Sequence, residues 1–532
     1  MKRVLHFISL CLLTTALILC LVGCDFDKAS SGNPPENEEN APENEENVPE
    51  NEENPPEDEE DAHAWELDYN FSPTCSSNGC IIYKCSDCGE FKEDIIPPTG
   101  IHTPGEEYFT SKNEHWHECT VCHEKLSVES HSFENELCAA CHTYETYYEI
   151  TVWVQNGYVN KAIFTEKIAE FAEANRMTIK LDLMQVDSAV AGNKIMQDPS
   201  CSADLFCFTQ KELQGLVSAK ALMPLENDVA EIIVQNNSSA SVSTAELGGV
   251  IYGYPLAIIN RTSVMFYDRS LISEEDAKSL DRIIAICEEN GKSLRFQVDS
   301  GWGVSHFFMA TGCHSTWTMN KNWEFIGIDD NYNSDAGITA LKGLDKLISS
   351  PCLKDEYYSA TKFDYDENTA VIISELSGRW TAKNTFGDNL GVAELPSFTV
   401  DGESYQLGSY IATMMLGVKP SEDEKRAKML SDLALWLTSE ESQADYYETF
   451  EWTPTNTCVQ QSDAVLQNIY ISAQIEQSHV STPELHCNLY WHGLIGEFCK
   501  YLKDATSDDD YALILEEYDR RLKELFETGY YS

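Results

Sequence analysis

From about residue 147 onward, the spacing of apolar positions alternates between two periods. A strand pattern covers residues 148–154, an amphipathic helical pattern follows at about 160–175, and a second strand pattern covers 177–184. The change from a period of two to a period of 3.6 predicts a β-α-β unit. Further elements are predicted in this region, namely strands at 203–209 and 369–380 and helices at about 335–350 and 424–448. Alternating helices and strands predict an α/β fold.

The N-terminus carries a different apolar pattern. Two basic residues precede a short apolar run over residues 7–22, which is typical of an export signal. Leu-Val-Gly-Cys at 21–24 resembles the bacterial lipobox, in which the signal is cut before the cysteine. This resemblance implies a signal peptide at 1–23 and a lipid on Cys24 that anchors the protein to the outer face of the cell membrane. The alternative is an uncleaved transmembrane anchor, which the polar tract directly after Cys24 disfavours.

Residues 24–62 form a polar tract dominated by an acidic repeat. Units such as "ENEENAP" recur every seven residues from Glu36 to His63, but they offer no apolar seam for a coiled coil. Self-repelling carboxylates and prolines predict an extended linker. We interpret it as a spacer across a cell wall.

Length and charge narrow the class of protein further. The 532 residues are too many for one core, so about two to four domains are expected. The formal net charge of −53 argues against nucleic acid as a partner, because phosphates would be repelled.

Residues 63–146 are rich in cysteine and histidine. Three CxxC pairs and one CxxxxC pair each bring two thiolates within reach of a single metal ion. The pairs predict two structural zinc sites with the following ligands: Cys75, Cys80, Cys85 and Cys88 in one site, and Cys119, Cys122, Cys138 and Cys141 in the other. Three histidines are possible substitute ligands, His102, His117 and His131. The alternative is a set of disulfides, which exported domains often carry; in either case the role would be to staple a small domain.

Two stretches of this region resemble a repeat of surface proteins from Gram-positive anaerobes. "CSDCGEFKEDIIPPTGIH" (85–102) matches it well, and "EHWHECTVCHEKLSVESH" (114–131) matches with His123 in place of a glycine. The resemblance implies a different ligand set, in which Cys75 and the closing histidine bind metal and Cys80 is extra.

The region from residue 147 to 532 resembles the extracellular solute-binding proteins of ABC transporters, of the maltose/maltodextrin (oligosaccharide) type. The resemblance rests on five segments in order: "ITVWV", "ADLFCFTQKELQGLVSAKALMPLEND", "GVIYGYPLAIINRTSVMFYDRSLI", "NTAVIISELSGRW" and "LGVAELPSFTVDG". It implies a two-lobe periplasmic-binding-protein-like fold of type II, joined by hinge strands.

The resemblance also implies where the chain crosses between lobes. The first hinge strand would be 256–262, and the return crossing would lie near 405–415. The lobes would then comprise these ranges: about 147–256 and 410–455 for lobe 1, and about 262–405 and 456–532 for lobe 2.

A sugar cleft needs aromatic platforms for apolar CH faces and polar groups for hydroxyls. By matched position, the resemblance implies stacking contacts from four residues, Phe208, Trp302, Trp380 and Trp491. Four others are candidate contacts: Asn156 and Tyr158 in the first strand-loop, Tyr254 at the cleft mouth or in the core, and Asp299 near an acidic position of the family. The chain departs from maltodextrin binders at Lys211 and Ile259, where they carry acids, so maltose itself is not the expected ligand.

The function implied is a non-enzymatic receptor that closes over an oligosaccharide by hinge bending and presents it to an ABC permease. Two alternatives belong to other classes. A surface glycosidase would need two carboxylates across a scissile bond, and no motif singles out such a pair. A sensor or adhesin would use the cysteine-rich module to bind wall or partner.

Overall fold

The computed structural model describes residues 63–528, apart from 299, 322, 355–367 and 485–489. The predicted signal peptide, Cys24 and the acidic linker lie outside the described residues. Within this part of the chain, every helix is too short or too polar to cross a bilayer. The chain divides into two compact units, whose described residues are 63–73 and 77–98 in the first and 74–76 and 99–528 in the second.

The first unit is a three-stranded antiparallel sheet. Its strands are Trp65–Phe71, Gly79–Cys85 and Phe91–Ile96, with the second in the middle. Only the middle strand buries side chains at its ends, while the flanking strands are exposed along nearly their whole length. So little buried apolar surface cannot supply a conventional core, and small domains of this kind depend on covalent or metal staples.

The second unit begins with short hairpins. One three-stranded antiparallel sheet comprises Phe109–Thr110, Glu114–Glu118 and Lys125–Ser130, and a two-stranded sheet comprises Phe133–Glu134 and Leu137–Cys138. The chain then enters the large α/β region.

The first lobe is built on a five-stranded sheet. Its strand order is Thr178–Gln185, Tyr147–Val154, Leu205–Thr209, Thr413–Val418 and Tyr254–Ile258. The first three strands pair in parallel, and the last two add antiparallel. Helices cover both faces, which is why the strand Leu205–Thr209 is buried at every position.

The second lobe repeats this arrangement. Its strand order is Leu353–Lys354, Ser293–Arg295, Thr369–Glu375, Ser263–Asp268 and Leu390–Ala393. Again three parallel strands are followed by two antiparallel ones. The predicted α/β fold with two lobes is therefore confirmed.

The helices pack around these two sheets. Those of the first lobe are Tyr158–Ala174, Ser188–Gln197, Leu213–Ser218, Asn227–Asn236, Ser239–Ala245, Glu424–Leu437 and Glu440–Phe450. Those of the second lobe are Leu280–Glu289, Gly301–Ala310, Asp335–Ile348, Arg379–Phe386, Asp463–Gln467, Ile469–Ser478, Tyr490–Phe498 and Asp508–Thr528. The short helix Thr457–Gln460 follows the last crossing between lobes. Additional two-stranded ribbons are Glu246–Leu247 with Val250–Ile251, Ser315–Met319 with Phe325–Asp330, and Ser397–Val400 with Glu403–Gln406.

Two predicted elements differ from the structure. The helix predicted at 424–448 is two helices, because it ends at Leu437 and Ser439 caps a new one with its side chain. The strand predicted at 369–380 ends at Glu375, after which the chain turns into the helix Arg379–Phe386.

Three described segments carry the chain between lobes. Residues 259–262 link the strand Tyr254–Ile258 to Ser263–Asp268, and residues 407–412 return it through a short strand, Ser409–Ile411, that pairs with Ser481–Pro483. Residues 451–456 form the third. The segments bond to one another, since Ile258 N–H donates to the Thr453 carbonyl at 2.8 Å and Ile259 N–H to the Ala412 carbonyl at 2.9 Å. This hydrogen-bonded crossing is the floor between the lobes.

Candidate functional site

The carboxyl ends of the parallel strands in both lobes point toward the crossing segments. In open α/β sheets, ligands bind in the crevice outside these strand ends. Two cavities lie there, one of about 280 Å³ on the second-lobe side and one of about 400 Å³ on the first-lobe side. Arg261, in the first crossing segment, lines both. The two cavities therefore adjoin at Arg261, and together they are called the cleft between the lobes below.

Trp302 forms the aromatic part of the second-lobe wall. It lies in the first turn of Gly301–Ala310, whose N-terminus is capped by Ser300. Its ring meets Tyr410 edge to face, with centroids 4.5 Å apart. This packing fixes the plane of the indole while leaving it half-buried beside the cavity. Gly303 permits the arrangement, because a Cβ there would lie 1.5 Å from the Gln297 carbonyl oxygen.

His306 lies one turn further along the same helix and lines the same cavity. Its Nδ1 is 2.7 Å from the Gly408 carbonyl oxygen, and its ring stacks on Phe296. Since a carbonyl only accepts, Nδ1 carries the proton and Nε2 is an acceptor in the neutral ring. Burial lowers the pKa of His306 to about 4, so the ring is neutral at physiological pH.

A charged pair lies on the cleft floor. Arg261 Nη1 is 3.5 Å from Glu375 Oε1, joining the first crossing segment to the end of a second-lobe strand. Burial raises the pKa of Glu375, while Arg261 opposes that shift. Ser374 and Ser377 stand beside the pair and line the cavity.

The first-lobe wall is polar. Gln210 donates from Nε2 to the Ile411 carbonyl at 2.8 Å, and its buried Oε1 has no partner within the described residues. Lys211 follows and contacts the buried Glu484 at 2.9 Å. Glu212 holds the turn, because its carboxylate accepts from the N–H and the hydroxyl of Thr209. The wall therefore offers amide and charged groups suited to hydroxyl-rich ligands.

The structure corrects two of the predicted ligand contacts. Phe208 is fully buried in the first-lobe core and packs on Phe206, with ring centroids 5.8 Å apart. Tyr254 is also fully buried, and its hydroxyl lies 2.7 Å from Ser431 Oγ. Burial raises the pKa of Tyr254 to about 12. Both side chains belong to the core and are not available to stack on a ligand.

Of the other predicted ligand contacts, two have exposed side chains and three have side chains that are not described. Trp380 is 66% exposed in the helix that begins just after Glu375 and Ser377, with the Arg379 guanidinium 5.6 Å from its ring. Asn156 is exposed in the loop after the first strand. Asp299 lies outside the described residues. Tyr158 and Trp491 lie within helices whose backbones are described, but their side chains are not.

The structure groups the cysteines differently from the two predicted four-cysteine sites. The structure collects Cys75 with His102, Cys119 and Cys122, and it collects Cys138 and Cys141 with His115 and His131. Cys85 and Cys88 join His63, and Cys80 belongs to none of these groups. In the large region, the described cysteines are free thiols at these positions: Cys207, Cys287, Cys313, Cys352 and Cys458.

Sequence reasoning missed most of the polar cleft residues. Gln210, Gln297 and Glu375 each lie at or within two residues of the end of a parallel strand. The rule that such ends converge on a ligand site was available from the predicted strands. Arg261 and Tyr410 lie in crossing segments, whose exact course no periodicity indicates.

Comparisons with known proteins agree with this geometry. The family of bacterial extracellular solute-binding proteins matches residues 166–471. A galactooligosaccharide-binding protein of Bacillus subtilis (strain 168) is 24% identical over 274 residues, which are 46% of this chain and 59% of that protein. The chain therefore spans about three-fifths of the length of this curated relative.

Two solved structures share the fold. A maltodextrin-binding protein from L. casei BL23, without ligand, superposes with a TM-score of 0.57 at 19% identity, over 71% of this chain and 99% of that one. An extracellular solute-binding protein from Staphylococcus aureus in complex with maltose gives a TM-score of 0.57 at 14% identity, over 71% of this chain and 98% of that one. The matched family is one of binding proteins, so the prediction of a receptor rather than an enzyme is confirmed. Because the family match covers more than half of the sequence, the chain belongs to the bacterial extracellular solute-binding proteins.

Proposed function

We propose that this protein is a lipid-anchored extracellular receptor that captures an oligosaccharide in the cleft between its lobes. The observation that carries the proposal is the composition of that cleft. Trp302 offers an aromatic face beside the Arg261–Glu375 pair, and Gln210 and Gln297 add amides. A sugar presents apolar CH faces and a rim of hydroxyls, which these two kinds of group match.

Closure of the lobes is the second part of the proposal. In the described residues, the chain passes between the two sheets through narrow crossing segments, and cavity linings from both lobes meet at Arg261. A ligand that contacts both walls favours the closed arrangement by its additional contacts there. The closed pair of lobes would present the surface that an ABC permease reads. Delivery to such a permease is the role that solute-binding receptors of this kind serve.

The polar first-lobe wall bears on the choice of sugar. Lys211 and Ile259, the two departures from maltodextrin binders, both line this wall. A lysine paired with a buried glutamate replaces an acid there, which alters the pattern of donors offered to a hydroxyl. The proposed ligand is therefore an oligosaccharide other than maltose, and the named relative points to galacto-oligosaccharides as the first group to test.

The test is titration of the purified mature chain with a panel of galacto- and malto-oligosaccharides, by calorimetry and by thermal shift. Bound ligand raises the melting temperature by mass action. Trp302→Ala should weaken binding roughly tenfold, since an aromatic contact contributes about 1 kcal/mol beyond its buried area. Trp317→Ala is the matched control, because Trp317 packs on Phe325 in a two-stranded ribbon and lines neither half of the cleft.

The outcomes separate cleanly. Binding of an oligosaccharide that Trp302→Ala weakens and Trp317→Ala preserves supports the proposal. No response to any sugar in the panel, or equal loss in both variants, would overturn it. Tightest binding to maltose would overturn the argument from Lys211 while leaving the receptor function intact.

A further inference from the structure

Eleven cysteine and histidine side chains between residues 63 and 141 fall into three compact groups that sugar binding does not use. In each group the ligand atoms all lie within 4.8 Å of one another. We infer that the two four-residue groups are tetrahedral zinc centres and that the three-residue group is a third, open one. The first centre comprises Cys75, His102, Cys119 and Cys122. The second comprises His115, His131, Cys138 and Cys141, and the open one comprises His63, Cys85 and Cys88.

Five ligand pairs in the two closed groups have spacings close to the edges of a zinc tetrahedron. With Zn–S near 2.3 Å and Zn–N near 2.0–2.1 Å, those edges are about 3.8 Å for two sulfurs, 3.6 Å for sulfur and nitrogen, and 3.4 Å for two nitrogens. In the first centre, Cys75 Sγ lies 3.7 Å from Cys119 Sγ, and His102 Nδ1 lies 3.2 Å from Cys122 Sγ.

The second centre agrees as well. The Nδ1 atoms of His115 and His131 are 3.3 Å apart. Cys138 Sγ is 3.9 Å from His115 Nδ1, and Cys141 Sγ is 3.4 Å from His131 Nδ1. A disulfide set would pair sulfur with sulfur and would not bring two imidazole nitrogens to this distance.

The outer ring nitrogens of His102 and His131 have the partners that metal-bound histidines usually have, while that of His115 lies 3.9 Å from Glu129 Oε2. His102 Nε2 lies 3.1 Å from Glu124 Oε2, and His131 Nε2 lies 2.9 Å from the Ser111 carbonyl oxygen. A carbonyl accepts only, so His131 Nε2 carries the proton and Nδ1 presents its lone pair to the centre. Such partners fix the tautomer and the ring orientation of a metal ligand.

The open group repeats this pattern. His63 Nδ1 lies 3.3 Å from Cys88 Sγ, and His63 Nε2 lies 3.5 Å from Glu90. Glu90 and Glu124 each stand two residues after the second cysteine of a CxxC pair. The shared sequence is therefore CxxCxE, in which the glutamate orients the histidine. The three ligands found among the described residues leave a position for water or another donor, so this centre should hold metal less tightly.

The backbone of all three CxxC turns has one conformation. The residue after the second cysteine has a positive φ in each, at Gly89 (79°), His123 (61°) and His142 (56°), and its N–H donates to the carbonyl of the first cysteine at 2.9 Å. Glycine suits this left-handed position, and histidine accepts it at some cost. The departure at His123 from the surface repeat therefore preserves the turn.

Zinc is the metal that this donor set selects. Mixed thiolate and imidazole ligands in tetrahedral array favour Zn²⁺, and imidazole ligands in both closed centres disfavour an iron–sulfur cluster. The second centre also lies next to the first lobe. Arg176 Nη2 donates to the Asn135 carbonyl at 2.7 Å, and Tyr144 N–H donates to Thr178 Oγ1 at 2.8 Å. Metal here would hold the short hairpins that precede the first lobe rigidly against it.

The experiment is metal analysis of the full mature chain, purified without chelator and dialysed against a mild chelator. We expect two zinc ions per chain to be retained and a third to be removed by dialysis. His115→Ala should lower the retained number from two to one. His117→Ala is the matched control, because His117 lies in the same strand but its Nδ1 is 2.9 Å from the Glu107 carbonyl. Cys80→Ser should also retain two.

A second variant guards against misfolding. His115→Cys keeps four ligands, so it should retain two metal ions and, with Co²⁺ in place of zinc, strengthen the thiolate charge-transfer absorption. Full-length protein without zinc whose cysteines resist alkylation until reduced would overturn the inference in favour of disulfides. Loss of zinc from Cys80→Ser or His117→Ala, with His115→Ala unaffected, would overturn these ligand sets. Neither result depends on whether the protein binds sugar.

Discussion

Phe208→Ala is the substitution that most directly separates the fold from the site in this protein. The family resemblance placed Phe208 among the sugar platforms, whereas the structure places it in the first-lobe core. Because the ring lies in that core, the substitution should lower the free energy of unfolding and leave the intrinsic sugar affinity almost unchanged. Trp302→Ala should do the reverse.

The expected magnitude follows from the surroundings of the ring. Phe208 has no exposed surface, and two glycines face it, since a Cβ at Gly417 would lie 3.0 Å from its Cε1 and one at Gly253 would lie 3.3 Å from its Cζ. Glycines have no side chain with which to fill a vacated space. The cavity therefore persists, and the cost should fall at the upper end of about 3–5 kcal/mol. At about 2 °C per kcal/mol for a large domain, the melting temperature should fall by roughly 10 °C.

The assay combines urea unfolding with sugar titration at a temperature where both variants remain folded. Trp302 is half-buried whereas Phe208 has no exposed surface, so Trp302→Ala should cost less stability than Phe208→Ala. A tenfold loss of affinity in Phe208→Ala without loss of stability would refute the core assignment. Equal stability losses in both variants would refute the assignment of Trp302 to the cleft.

Three further predictions concern other groups. Because burial lowers the pKa of His306 to about 4, the stability that the neutral ring contributes is fully present above about pH 6.5 and is lost as the pH falls toward 4, on the order of 3 kcal/mol in all. The difference in the free energy of unfolding between pH 7 and pH 4.5, measured with urea, should be smaller for His306→Asn than for the parent. An unchanged difference would contradict this. Tyr254→Phe removes the buried hydroxyl 2.7 Å from Ser431 Oγ and should cost about 1–2 kcal/mol in urea unfolding, with sugar affinity preserved; a change in affinity would return Tyr254 to the cleft. Cys24→Ala should yield an unprocessed or released protein on detergent partitioning, and partitioning like the parent after signal cleavage would contradict the lipid assignment.

The fold was predictable because each helix and strand has its own hydrophobic periodicity in the sequence. The unit comprising Tyr147–Val154, Tyr158–Ala174 and Thr178–Gln185 differs from its predicted bounds by at most two residues. Each of these elements carries its own period, so an error in one does not move the next. The break at Ser439 was harder, because the amphipathic pattern continues across it and only a side-chain cap marks the new helix.

Whether an aromatic side chain points into the core or into the cleft was not predictable in the same way. Phe208 lies in a strand with helices on both faces, where every position is buried and alternation does not distinguish an inner face from an outer one. Trp302 lies in a helix beside a strand end, where the exposed part of the ring faces a cavity. The two residues match family positions equally well in sequence, and only packing separates a core ring from a platform.

Which histidines bind metal could not be predicted from the sequence pattern either. His115 and His117 belong to one short strand, and strict alternation would put both side chains on the same face. The pairing of this strand with Lys125–Ser130 shifts register between the two residues, and such an irregularity re-aims side chains. His115 reaches Cys138 while His117 bonds to a backbone carbonyl instead. CxxC spacing indicates that a thiolate pair exists, because both sulfurs come from one turn. The remaining ligands come from distant strands whose register no local pattern specifies. This explains why the cysteine pairs were found from sequence, whereas His102 and His131 could be named only as possible ligands and His63 and His115 were missed.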